Sequence, residues 1–139
     1  LKAGEADPVD NIHVAPKLST TDMRRIRAVP HDGGTLPGGP EGSNCGPAYG
    51  RMWWDRPAPT LTAKCTRLHS GRFGHPEQDR AITLREAAQL QSFDPDYRFW
   101  PQDEKVKHLA VARMIVNASP PALAEVLGRI LIKHVAAYV

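Results

Sequence analysis

The chain has 139 residues, of which 24% are charged and 41% hydrophobic, and its formal net charge is +3. That length fits one domain, and so mild a positive balance selects no partner class by itself. No unbroken run of about 18 apolar residues occurs, and the first ten residues lack the apolar stretch of a secretion signal, so neither a membrane span nor a signal peptide is expected.

The hydrophobic residues are unevenly placed. Most of the thirteen prolines and eleven glycines fall in the first two thirds, while continuous apolar periodicity is confined to the C-terminal part. The chain begins with Leu1 rather than methionine, which reads as a piece of something larger. Its two cysteines, Cys45 and Cys65, belong to no C-x-x-C or His/Cys zinc pattern, so reduced thiols and no metal are expected.

In chain order, residues 1–18 read as irregular with a short strand at 11–14. Ser19 to Asp22 offer N-caps for a short helix through Val29 that carries Arg24, Arg25 and Arg27. Six glycines between His31 and Gly46 predict a mobile loop over 33–46, and they match neither nucleotide-binding glycine pattern. Two short strands are expected at 49–54 and 60–66, with Pro57 and Pro59 between them. Thr83 and Glu86 have the spacing of a capping box, predicting a helix over 83–93 stopped by Asp94-Pro95. A second helical pattern covers 103–116, with Val106, Leu109, Ala110 and Met114 on one side. Ser119 and Pro120 then open a third helix, whose stripe of Leu123, Val126, Leu127, Ile130, Leu131, His134, Val135 and Tyr138 needs a surface to pack on. Gly128, in the middle of that helix, costs about 1 kcal/mol relative to alanine and suggests close packing there.

Between residues 51 and 72, Arg51, Arg56, Lys64, Arg67 and Arg72 stand against Asp55 alone, interleaved with Trp53 and Trp54. Such a stretch suits a phosphate backbone, or equally a solvated basic face over a tryptophan-lined core.

Three segments in order resemble the C-terminal part of bacterial DNA cytosine-5 methyltransferases. RAITLREAAQLQSFDPDY (80–97) is similar to that family's ninth motif, and MIVNASPPALAEVLGRIL (114–131) to its tenth. RPAPTLTAKC (56–65) resembles the Thr-Leu element of the target recognition domain. The resemblance implies an α+β fold: a small, irregular, β-rich target recognition domain with loops over 1–82, then C-terminal helices over 83–139 that pack on a missing Rossmann-like catalytic domain. It implies recognition of a duplex DNA site and completion of methyl transfer from S-adenosylmethionine to C5 of a flipped cytosine. It also implies a bacterial, cytoplasmic, nucleoid-associated protein. The implied DNA-binding residues are Arg51, Thr60, Lys64, Arg67, His69, Arg72, Arg80 and Arg85. Asn117, Ala118 and Ser119 match the cofactor-pocket segment. Arg85 has a second reading as a structural ion pair, and Glu86 reads as the capping-box acid.

The departures concern chemistry. No Pro-Cys pair and no Glu-Asn-Val occur, since Cys45 follows Asn44 and Cys65 follows Lys64. No catalytic residue is therefore assigned, and the chain alone is expected to be inactive without a catalytic half. The alternative is a stand-alone, sequence-selective DNA-binding module. A third reading has the fragment oligomerise through its C-terminal stripe.

Overall fold

The structure, a computed structural model, describes residues 1–37 and 48–138. Cys45 and residues 38–46 of the expected loop lie outside the described residues. Four α-helices occur among them: α1 (Thr20–Arg27), α2 (Leu84–Leu90), α3 (His108–Asn117) and α4 (Pro121–Ala136), with a 3-10 turn at Leu68–Ser70.

The helix starts follow local chemistry. The Ser19 side chain accepts from the Asp22 N–H and caps α1. Thr83 and Glu86 form the complete reciprocal box at α2. That helix is shorter than expected, ending at Leu90, because Ser92 turns the chain with φ 62° before Asp94-Pro95 is reached. Helix α4 begins one residue later than the serine signal implied, with Pro120 as N-cap and Pro121 at N1.

The β-rich recognition domain is not found. Among the described residues there is no strand, only isolated bridges pairing Ala6 with Val14, Gly34 with Arg51, Arg51 with Gly74, and Gly74 with Ala81. The expected α+β class is therefore overturned. At 60–66 the chain turns instead of extending, as Cys65 N donates to Thr62 O and Arg67 N to Lys64 O, and Pro57 and Pro59 bring no N–H to a ladder. Alternation nevertheless sorted inside from outside there: Leu61, Ala63 and Cys65 turn inward while Thr60, Thr62 and Lys64 are exposed.

One core cluster gathers Ile12, Met52, Cys65, Phe73, Ile82, Leu84, Ala87, Ala88, Val111, Ala112 and Ile115. It draws on both sides of residue 83. A second joins Ile26 and Val29 to Ala48, Tyr49, Leu68 and Ala81. On α3 the buried stripe is Val111, Ala112 and Ile115, facing α2, whereas Leu109 and Met114 of the expected side are 53% and 49% exposed. The helix begins only at His108, so Val106 of the expected side lies before it, and the packed face is that of Val111, Ala112 and Ile115.

Helix α4 buries none of its residues, and nothing lies within 4 Å of where a Cβ on Gly128 would stand. The segment His108–Ala136 is apolar enough to cross a membrane if counted as one helix. It is two, of 10 and 16 residues, broken where Ala118 is extended at ψ 144°. Each is shorter than the roughly 20 residues a span requires.

Arg51 takes over the work a sheet would have done. Its side chain is wholly buried, and its donors reach Val29 O, His75 O, Gln78 O, Ile26 O and a carboxylate oxygen of Asp79. Those contacts match the five N–H groups a guanidinium possesses. Two of the carbonyls lie at the C-terminal end of α1, where a cation also opposes the helix dipole. Arg51→Met is expected to cost about 3–5 kcal/mol in urea unfolding, because it strands several buried acceptors. Lys64→Met, at an exposed position, should stay within about 0.5 kcal/mol of the parent.

Candidate nucleic-acid interface

Arg80 and Arg85 of the 80–97 segment are also turned inside the molecule. Arg80 is 1% exposed and grips Glu86 with both terminal nitrogens, at 2.8 and 2.7 Å. Its Nε donates to Leu1 O and Gln78 Oε1. Arg85 is 9% exposed, pairs with both oxygens of Asp10, and donates from Nη1 to Tyr97 O at 3.0 Å. The two side chains thus tie the N-terminal segment to α2. Of the eight residues read as DNA-binding, Arg51, Arg80 and Arg85 are turned inward: Arg51 directs five contacts to internal acceptors, and Arg80 and Arg85 are held by Glu86 and Asp10.

Glu86 sits at the centre of this network. It accepts from Arg80 and from the Thr83 N–H at 2.8 Å, while Thr83 Oγ1 lies 2.9 Å from His13 Nδ1. Burial raises its carboxyl pKa, but the Arg80 hydrogen bonds and the Thr83 N–H outweigh that and hold it below its ordinary 4.5. His75 moves down from 6.5, chiefly through burial and then through the charge of Arg80. Its Nδ1 accepts from the backbone N–H groups of Glu77 and Gln78, both at 3.1 Å, as only the neutral ring can.

The remaining candidates are placed differently. Thr60, Lys64, Arg67 and His69 are exposed and Arg72 is half-buried. None of their side chains enters an ion pair among the described residues. The 62–70 turns and the 3-10 turn bring three of them together. Lys64 and His69 share an open concavity of about 520 Å³ with Thr62, Ala63 and Ser70. His69 and Arg67 line the adjoining groove of about 500 Å³, across which stand Lys17 and His108. The one carboxylate among that groove's lining residues, Asp22, accepts from Ser19 and from the Tyr49 hydroxyl at 3.0 Å. Lys17 and His108 carry no local sequence signal, because each is an isolated cation or imidazole far along the chain from the basic stretch.

Asn117, Ala118 and Ser119 form the break between α3 and α4. The side chains of Asn117 and Ser119 are exposed. Cys65 is wholly buried and its thiol is pushed up to about 11 by burial, the opposite of what a nucleophile requires.

A model of the C-5 cytosine-specific DNA methylase family matches residues 12–133. The chain belongs to this family. It is 46% identical over 132 residues to the type II methylase M.HgiDII of Herpetosiphon aurantiacus, an alignment covering 86% of this chain and 36% of that protein. It is also similar to the type II methyltransferase M1.BsuMI of Bacillus subtilis (strain 168), 39% identical over 80 residues covering 58% of this chain and 18% of the relative. The DNA (cytosine-5)-methyltransferase CMT3 of Arabidopsis thaliana is 35% identical over 88 residues, covering 63% of this chain and 10% of the plant protein. The chain therefore spans about a third of the first relative and less of the others.

Two solution measurements probe the buried groups. Lowered folded-state pKa values at His75 and Glu86 mean that the unfolded chain binds more protons, so stability is full above the ordinary values and is lost as pH falls through the folded ones. Urea midpoints should fall first below pH 6.5 and again below 4.5, and Glu86→Gln should flatten the lower step. In a Cys45→Ser variant, Cys65 should resist a thiol reagent at pH 8 and react fully once urea unfolds the chain.

Proposed function

We propose that this chain is the target-recognition and cofactor-edge segment of a DNA cytosine-5 methyltransferase. In this reading residues 1–82 grip double-stranded DNA and residues 83–139 join that grip to the catalytic domain. One observation carries it: within a family of cytosine-5 DNA methylases, Lys64, Arg67 and Arg72 enter no ion pair among the described residues, on a 60–72 segment that holds no carboxylate. The division at 82/83 is one of function, since a single core crosses it.

A cytosine in a duplex is reached only after it swings out of the stack. Thr60, Lys64, Arg67, His69 and Arg72 are the residues proposed to hold the surrounding DNA. Lys64 and Arg67 supply charge to phosphates, and the Thr60 hydroxyl supplies a hydrogen bond to the backbone beside the displaced nucleotide. Asn117 and Ser119, with the Ala118 main chain, would contact S-adenosylmethionine, which supplies the methyl group when bound. The thiolate that attacks C6 of the base belongs to a catalytic segment outside these 139 residues, as neither cysteine here follows a proline. That segment would also cover α4, whose Leu123, Val126, Leu127, Ile130 and Leu131 are 52–63% exposed.

The test is transfer of labelled methyl from S-adenosylmethionine to mixed-sequence duplex DNA, with the chain alone and with the catalytic segment of the same methyltransferase added. Transfer only in the mixture is the expected result. Transfer by the chain alone would overturn the division of labour. Silence in both, with salt-dependent duplex binding by the chain, would favour the stand-alone binding module.

A further inference from the structure

The indole of Trp53 collects two guanidiniums. Arg56 Cζ lies 4.8 Å and Arg72 Cζ 4.9 Å from the ring centroid. The two charges therefore stand within about 10 Å of each other, the sum of those distances. Neither enters an ion pair among the described residues, and Asp55, next to Arg56 in the chain, pairs with neither.

The arrangement is seated by main chain. Gly33 has φ 99°, and a Cβ there would fall 1.9 Å from Trp53 Nε1. A Cβ on Gly50 would fall 2.3 Å from Arg72 Cγ. Two glycines thus let the backbone press against the indole and against the stem of Arg72, which restricts both. Cation–π contact holds each guanidinium to the ring, yet the two like charges repel. A bound anion would relieve that repulsion, and a planar guanidinium offers paired donors to phosphate oxygens.

Resting on the DNA-recognition reading above, we propose that Arg56 and Arg72, held on Trp53, form a clamp for a phosphodiester of the bound DNA. Trp53 is its positioning residue. A phosphodiester suits two guanidiniums within about 10 Å of each other better than a guanine edge does, because its oxygens can accept from both whereas a base edge takes one guanidinium fork. Arg56 also opens the segment that carries Thr60, so the clamp adjoins the hydroxyl proposed to touch the backbone beside the flipped nucleotide.

The experiment uses the chain, with the catalytic segment present, on duplexes carrying single uncharged methylphosphonate linkages. The parent protein should lose affinity at a limited set of linkages. Arg56→Ala and Arg72→Ala should each abolish the sensitivity at the same one or two of them, lower the salt slope of log K by about 0.9, and leave the ranking of DNA sequences unchanged. Trp53→Leu should abolish sensitivity at those linkages too, while Trp53→Phe, which keeps an aromatic face, should retain it. Thermal melts should show both arginine variants folded like the parent.

Altered base preference with an intact linkage map would make these arginines base readers and overturn the clamp. An unchanged map and slope would do the same. A parent protein that binds duplex DNA yet shows Trp53→Leu indistinguishable from itself would remove Trp53 from the positioning role. No duplex binding by the parent at all would bring down the DNA-recognition reading, and the clamp with it.

Discussion

A buried guanidinium organises this fold. In a chain with so little regular structure, main-chain carbonyls from loops and helix ends must find donors, and every unpaired buried acceptor destabilises the molecule. Arg51 supplies donors to four such carbonyls and to Asp79, drawing the end of α1 and the 75–79 loop onto one side chain. Arg80 and Arg85 repeat the device on a smaller scale, joining residues 1–10 to α2. Lysine could not substitute, because a single ammonium lacks the fixed planar fork that meets several acceptors at once.

That commitment divides the cations into two populations. The deeply buried ones are neutralised or saturated from within. The exposed ones at Arg56, Lys64 and Arg67, together with half-buried Arg72, carry charge outward on neighbouring turns. A mild net charge of +3 therefore understates the local charge of the 56–72 segment that carries them, which has no acidic residue. The rigid interior matters to that face, since turns without a ladder hold their side chains in place only as firmly as the core beneath them allows.

Helix α4 shows the other side of the same economy. Its apolar stripe is regular, its start is well signalled, and yet none of its residues is buried in this chain. The exposed stripe and the partial coverage of the first relative belong together in the proposed function, where a further segment covers the helix.

The sequence by itself determined the local events. The capping box at Thr83, the Ser19 cap and the double-proline start of α4 are each set by side chains a few residues apart. The three motif segments likewise carried the family in linear order. Only the tertiary structure decided how the 60–66 segment packs. Whether an extended-looking segment pairs into a sheet depends on a partner strand far away in sequence, and here lone bridges and an arginine took that place. It also decided which arginines are available. Arg51 and Arg72 look alike in the same basic stretch, but one meets five acceptors in the core and the other lies over Trp53, half in solvent. Burial and the count of surrounding carbonyls are properties of distant chain segments brought together, and no local pattern encodes them.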